Sequence, residues 1–105
     1  MLLYSEIKNN GHTFKLCWDD CLINSKMSIN SVMNECDKKN EDWRLPTILE
    51  LYSIIDTTEE LRIKDFWSID RCCVDNYMYT VNKKIGIVKR QVSELMNVLL
   101  VKNII

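Results

Sequence analysis

The stretch Asp42-Trp43-Arg44-Leu45-Pro46-Thr47-Ile48-Leu49-Glu50-Leu51 constrains this chain more than any other. Pro46 is the sole proline, and it biases Leu45 away from helical angles, so the chain arrives extended. Thr47 is then a good N-cap, with Glu50 three residues on, which is a capping box. Pro46 and Leu51 occupy the two positions of a hydrophobic staple. Ile48, Leu51, Tyr52 and Ile55 follow at i, i+3, i+4 and i+7, so a helix is predicted from Thr47 to about Asp56 with these residues on its apolar face. Trp43 and Leu45 lie two apart in the extended approach, so they share a side and are both expected in the core. Arg44 between them is expected to pair with a nearby carboxylate and hold the start of the helix.

The rest of the chain alternates short strands with turns. Met1 to Ile7 and His12 to Trp18 read as two strands joined by Asn9-Asn10-Gly11, a strong hairpin turn because Asn and Gly accept positive φ. Phe14, Leu16 and Trp18 alternate with Lys15 and Cys17, which makes one apolar face. Ser25 to Ser28 reads as a loop. A helix is predicted from Ser28 to Lys39, with Ser28 as cap, Asn40 as C-cap, and Ile29, Val32, Met33 and Cys36 on its buried side. Lys38 and Lys39 suit the negative end of its dipole. Asp56 to Glu60 reads as a turn, with one helical turn through Arg62. Ile63 to Ile69 looks extended, and Arg71 to Asn76 reads as a loop. Tyr77, Tyr79 and Val81 alternate with Met78 and Thr80 as a half-buried strand. Asn82-Lys83-Lys84 turns the chain into a strand begun by Ile85, Ile87 and Val88, with Gly86 as a bulge or close approach. Val92, Leu95 and Met96 permit a short helix. Val98 to Val101 is a continuous apolar run, expected as a central strand.

Trp43-Arg44-Leu45-Pro46-Thr47 followed by Glu50-Leu51 resembles the signature of the DUF1566 family, relatives of the C-terminal domain of Legionella collagen-like adhesins. A shorter form, Arg44-Leu45-Pro46-Thr47, also resembles the formylglycine-generating family. Both have the C-type-lectin-like fold. Phe66-Trp67-Ser68 resembles the first family's aromatic-Trp-Ser strand, Tyr77 to Val81 with Gly86 its next strand and turn, and Val98 to Lys102 its closing strand. The resemblance spans Phe14 to Lys102, although the chain has fewer glycines and lacks the cysteine often found in the last strand. It implies one α+β domain over residues 1–105, with two helices packed on a small, twisted, mostly antiparallel sheet and the termini near each other. It also makes Trp43 and Trp67 core residues, and it makes Trp43, Arg44, Pro46, Thr47, Glu50 and Trp67 a structural motif.

Composition narrows the function classes. A chain of 105 residues is one domain, and 47% hydrophobic with 28% charged residues is the make-up of a soluble globular protein. A net charge of −1 argues against binding a nucleic-acid backbone. No apolar run is long enough for a transmembrane helix, and Met1-Leu2-Leu3-Tyr4 lacks the basic start of a signal peptide, so a cytoplasmic protein is expected. Twelve Ile, ten Lys, ten Asn and no Ala suggest an AT-rich genome, such as that of a low-GC bacterium or its phages and mobile elements.

The five cysteines, Cys17, Cys21, Cys36, Cys72 and Cys73, read as reduced and mostly buried thiols. Cys17 and Cys21 have a zinc-pair spacing, but Cys36 and the lone His12 do not complete it. No metal or cofactor is expected. Adjacent Cys72 and Cys73 would point to opposite faces of a strand and so would not pair. They also lack the spacing of the formylglycine-generating enzymes' reactive pair, so an oxidase of that kind is the weakest reading. The glutamate–proline–asparagine loop of calcium-dependent lectins is absent, and Asp70, Asp75 and Asn76 read as a solvated loop rather than a calcium site.

The function expected is therefore non-enzymatic recognition of a protein partner. A phage or mobile-element inhibitor that blocks a host factor in the host cytoplasm would have this profile. The alternative is a glycan-binding adhesin or virion component. The candidate binding residues lie in the loop after the second helix and the following hairpin: Arg71, Asp75, Asn76, Tyr77, Tyr79, Lys83, Lys84, Lys89 and Arg90.

Overall fold

The computed structural model describes residues 2–39 and 42–104. In chain order the elements are β1 (Leu2–Asn9), β2 (His12–Asp19), β3 (Lys26–Met27), α1 (Ile29–Lys39), α2 (Ile48–Tyr52), α3 (Glu59–Arg62), β4 (Phe66–Arg71), β5 (Tyr77–Asn82), β6 (Gly86–Gln91), β7 (Met96–Asn97) and β8 (Leu100–Asn103). Together they make a small α+β fold with, among the described residues, three helices and two mostly antiparallel sheets. The expectation of two helices on a single sheet is corrected accordingly.

The first hairpin forms because Asn10 and Gly11 take left-handed angles, at φ 50° and 80°. Pairing then runs from Asn9↔His12 to Leu2↔Asp19. β8 pairs antiparallel with the other side of β2, and Asp19 faces Leu2 on one side and Leu100 on the other. The first and last strands therefore flank β2 in one sheet, ordered β1-β2-β8. The second sheet is ordered β3-β7-β4-β5-β6, with a single parallel pairing between Phe66 and Asn97.

The core has two clusters. One holds Leu16, Trp18, Ile23, Leu51, Ile54, Ile55, Leu61, Phe66, Val81, Leu99 and Val101. The other holds Cys17, Ile29, Val32, Trp43, Leu45, Trp67, Met78, Val98 and Leu100. Neighbouring residues fall in different clusters: Trp18 and Cys17, Phe66 and Trp67, Leu99 and Leu100. This is the period-2 alternation of extended chain with apolar material on both sides. α1 closes one side through Ile29 and Val32, and α2 with α3 closes the other through Leu51 and Leu61. All three tryptophans are buried. The Trp18 indole donates to Ser5 Oγ at 2.7 Å, and the Trp67 indole to the Met27 carbonyl at 2.7 Å. Trp43 lies beneath two ammonium groups, Lys102 at 4.7 Å and Lys39 at 5.3 Å from its ring centre.

The central motif behaves as its residues dictate. Thr47 Oγ1 accepts the Glu50 amide at 3.1 Å, and the Glu50 carboxylate accepts the Thr47 amide at 2.8 Å, completing the capping box. Arg44 grips both Glu50 oxygens at 2.7 Å and also donates to Asn103 Oδ1 at 2.6 Å. Its backbone pairs with Val101 in both directions, at 3.0 and 2.9 Å, so the motif is stitched to β8. The Pro46 carbonyl accepts the Ile69 amide at 2.7 Å, and Asp70 accepts the Ile48 amide at 2.7 Å, which fixes α2 against β4. At the end of α1, Lys39 donates to the Asp19 carboxylate, tying that helix to β2.

Several expectations are corrected. α2 stops at Tyr52 rather than Asp56. Ser53 Oγ donates to the Glu50 carbonyl and Thr57 Oγ1 to the Ile54 carbonyl, and such local bonds compete with helix continuation. Ile54 and Ile55 are buried from the turn that follows, whereas Tyr52 is exposed. Phe14 is exposed because the hairpin runs past the core. The Ser25–Ser28 loop contains strand β3, and the strand expected to begin at Ile85 runs from Gly86 to Gln91. At Val92 to Met96, where the spacing permits a short helix and the family resemblance implies strand and loop, no helix forms and a turn leads into β7. Gly86, at φ +96°, closes the β5–β6 turn instead of bulging within a strand. The run Val98 to Val101 is wholly buried, but β8 begins only at Leu100 and lies at the end of its sheet, beside the Arg44 bridge. Ser28 Oγ lies 3.4 Å from Ser31 Oγ, and the Ser28 carbonyl accepts the Val32 amide at 3.0 Å, the first helical bond of α1. The predicted C-cap at Asn40 lies outside the described residues. Of the five thiols only Cys17 is buried. No helix among the described residues is long and apolar enough to cross a membrane.

Truncating Trp43 removes a buried aromatic and leaves a cavity, so Trp43→Ala is expected to cost about 3–5 kcal/mol in urea denaturation. Thr47→Ala should cost about 1 kcal/mol through the lost cap. A Trp43→Ala protein as stable as the parent would overturn the motif's organising role.

Glu50 supplies a pH test. Burial pushes its carboxyl up, but hydrogen bonds from Arg44 and the Thr47 amide, with the Arg44 charge, outweigh this and hold it below its ordinary value. A depressed folded value means the stabilisation is complete above the unfolded value of about 4.3 and is lost as pH falls through the folded one. Glu50→Gln should therefore flatten the acid limb of the stability profile, measured by thermal melts between about pH 3 and 6.

Candidate functional site

Strand alternation positions the site. In β5 the side chains of Met78, Thr80 and Asn82 are buried, while Tyr77 and Tyr79 are half-buried on the other side. The register Tyr77↔Gln91, Tyr79↔Lys89 and Val81↔Ile87 brings Ile87, Lys89 and Gln91 to the same side as the two tyrosines. All three are exposed. At its Val81 end this face is covered, since Val81 joins the cluster of Leu51 and Leu61. At its Tyr77 end it is open.

The open end is held in place by polar contacts. Gln91 Nε2 donates to the Tyr77 hydroxyl at 3.2 Å, and Lys89 Nζ sits 5.2 Å from the Tyr77 ring centre. The linking loop is stitched to β5 and β6. Cys72 N–H donates to the Tyr77 carbonyl at 3.3 Å, and Val92 N–H to the Asn76 carbonyl at 2.9 Å. Asn76 adopts φ 68°, which asparagine tolerates better than most residues. A surface hollow of about 410 Å³ beside it is lined by Asp75, Asn76, Tyr77, Gln91, Val92 and Ser93.

The candidate residues separate into groups. Arg71, Asp75, Asn76, Tyr77, Tyr79 and Lys89 gather around this open end, with Arg71, Asp75, Asn76 and Lys89 exposed. Lys83 and Lys84 lie at the opposite tip of the hairpin, roughly 20 Å away at about 3.3 Å per residue. There Lys83 pairs with Asp56 at 3.6 Å, and the Lys84 amide donates to Asn82 Oδ1 at 2.8 Å. Arg90 points to the other face and meets Asp65 at 3.2 Å, while Asn82 Nδ2 donates to the second Asp65 oxygen at 2.6 Å. Arg90 thus ties β6 to the start of β4. Its buried Nε has no hydrogen-bond partner among the described residues.

Gln91 and Ile87 complete the face; both lie in the segment Lys83 to Gln91 expected to be exposed, but neither was singled out as a binding residue. The signal for them was present in the alternation from Ile85 to Gln91, but the polar run Lys89-Arg90-Gln91 hid the strand's continuation. Asp70, weighed as a calcium oxygen, instead accepts the Ile48 amide at 2.7 Å and lies apart in role from the exposed Asp75 and Asn76. Among the described residues no group of three or more His, Cys, Asp or Glu is arranged to hold a metal ion. Cys17 is buried in the core while Cys21 is exposed, with its amide donating to Asp19 Oδ1 at 2.9 Å. No protein-family model and no curated protein matches this chain.

Because Tyr77 and Lys89 rest on the surface, the double variant Tyr77→Ala with Lys89→Ala is expected to lower stability by less than about 1 kcal/mol. Thermal denaturation by circular dichroism checks this. A larger loss would mean that the pair supports the hairpin rather than decorating it.

Proposed function

We propose that this protein is a non-enzymatic recognition domain of C-type-lectin-like type, related to the DUF1566 family, that binds a protein partner through the open end of the β5–β6 face. The observation that carries the reading is the pairing of Tyr77 and Tyr79 with Lys89 and Gln91 on one exposed surface. Tyrosine supplies large, rigid contact area with a polar tip, which is why protein interfaces are enriched in it. β6 is also the last strand of its sheet among the described residues, so its outer edge offers backbone groups to a partner strand. The motif Trp43 to Leu51 supports the family relationship, and the fold supports it in outline: helices pack on both sides of antiparallel sheets whose first and last strands adjoin β2.

The composition, rich in Ile, Lys and Asn and without Ala, supports an origin in an AT-rich genome such as that of a low-GC bacterium's phage or mobile element, and blocking a host factor in the host cytoplasm is the role proposed for such a product. Affinity capture of the tagged protein from lysates of low-GC bacteria tests this, with the Tyr77→Ala, Lys89→Ala double variant as control. One stoichiometric protein lost with the variant is expected. If the tyrosine is an anchor, affinity should fall by about 2 kcal/mol, roughly thirtyfold in Kd. No protein partner, with calcium-dependent retention on a glycan array, would replace this reading with glycan recognition.

A further inference from the structure

The sheet β1-β2-β8 has a long free edge. β1 runs for eight residues, Leu2–Asn9, and among the described residues it pairs with β2 alone. The opposite edge strand, β8, is engaged by the Arg44–Val101 bridge. In the other sheet, β3 is two residues long, and β6 carries the adjacent cations Lys89 and Arg90 with no acidic residue. Short strands and like charges are common ways in which an edge is kept from pairing with its own copy. β1 has neither device. It contains no proline or glycine, and its charges are one of each sign, Glu6 and Lys8.

The hairpin register fixes which backbone groups of β1 are free. A two-residue turn closes on a hydrogen-bonded pair, here Asn9↔His12. Bonded and non-bonded pairs alternate from there, so Ile7, Ser5 and Leu3 turn their backbone groups towards β2. Leu2, Tyr4, Glu6 and Lys8 therefore turn theirs outward. Lys15 bears this out. It stands opposite Glu6, yet its carbonyl accepts the Ile104 amide at 3.0 Å, on the side away from β1.

We propose that β1 pairs with β1 of a second copy of this chain, antiparallel about a two-fold axis through Ser5, so that the two β1-β2-β8 sheets become continuous. Outward groups meet only where even-numbered residues face even-numbered ones. Centring on Ser5 does this from Leu2 to Lys8: Leu2 faces Lys8 of the second copy, and Tyr4 faces its Glu6. Neighbouring registers are poorer. Centring on Glu6 sets the two glutamates directly against each other. Centring on Tyr4 sets Leu3 against Ser5, and centring on Ile7 carries Tyr4 to Asn10 in the turn.

The side chains fit the same register. On the outer face, Leu2 and Tyr4 are 47% and 63% exposed in the single chain. Pairing lays the Lys8 stem over Leu2 and sets Tyr4 beside Glu6. The two Glu6 carboxylates come diagonal to each other, but each stands beside its own Lys15. On the inner face, Leu3 of each copy meets Ile7 of the other. Both are partly buried against the cluster of Leu16 and Trp18. Ile7 also lines an open hollow of about 200 Å³ with the exposed Phe14 and Leu49, and the second copy brings its Leu3 to the rim of that hollow. At the axis stands a serine, small enough for close approach, whose hydroxyl is already held by Trp18 and Ser53. This contact lies on a different sheet from Tyr77 and Lys89 and does not rest on the proposed recognition role.

Sedimentation equilibrium of the intact protein from about 5 to 500 µM tests this, because an interface of one strand pair is small and binds at micromolar strength or weaker. A monomer–dimer equilibrium is expected. Tyr4→Glu puts like charges directly opposite each other on both sides of the axis and should raise Kd at least about tenfold. Tyr4→Lys, at the same exposed position, meets Glu6 of the second copy and should leave Kd unchanged or lower it. Glu6→Pro removes an outward amide that β2 does not use and should abolish the dimer. Circular dichroism checks its fold, and the two Tyr4 variants decide the question should the proline unfold the hairpin. A protein that stays monomeric over this whole range would overturn the proposal. So would a dimer that survives Tyr4→Glu or a folded Glu6→Pro, or one lost equally in Tyr4→Glu and Tyr4→Lys.

Discussion

The two-pronged contact between Arg44 and Glu50 is the constraint on which the rest of the fold hangs. One guanidinium, on the extended approach to α2, joins that helix to β8 at the far end of the chain. It takes both oxygens of Glu50, whose carboxylate also closes the cap on α2, and it reaches Asn103 at the end of β8. Its own backbone pairs with Val101. A planar guanidinium suits this role because its donors match a carboxylate two at a time, while a lysine would offer only a point charge. With the Glu50 side chain only 11% exposed, loss of Arg44 would leave a buried carboxylate with an incomplete set of donors.

From that node the packing follows outward. Fixing the start of α2 over β4 delivers Leu51, Ile54 and Ile55 to one core cluster. Fixing the extended approach delivers Trp43 and Leu45 to the other. The two clusters meet through strands whose successive residues face opposite sides, so neither half can form fully without the sheets. A scaffold of this kind leaves its freedom at the edges. The β4–β5 loop and the outer strand β6 carry exposed lysine, glutamine and thiol groups beside the half-buried tyrosines of β5, on a frame that the core holds still, and recognition concentrates in such places.

Much of this was legible before any coordinates. Thr47 and Glu50 spelled out their cap because both partners lie within one helical turn. Asn10-Gly11 spelled out its hairpin because the required backbone angles belong to those residues. The apolar spacing of Ile29, Val32, Met33 and Cys36 revealed which side of α1 is buried. The length of α2 was not legible, since its apolar period continues to Ile55 while Ser53 and Thr57 divert the backbone bonds locally. β3 and β7 were invisible because each is two residues long and exists only through its pairing with the other or with β4. In the site, Tyr77 and Tyr79 stood out by alternation, but Gln91 is joined to them only by cross-strand register.

What the sequence determined by itself is therefore local: caps, turns, the faces of helices, and which aromatic residues must be inside. Each follows from backbone angles or side-chain spacing within a few residues. Only the tertiary structure decided that Arg44 pairs with Glu50 and Asn103, and that Arg90 turns inward to Asp65 while Lys89 turns outward to Tyr77. Those outcomes depend on long-range pairing and on which side of each strand the helices cover. Residue spacing along a chain does not encode that information, because it arises when separate segments compete for the same buried volume.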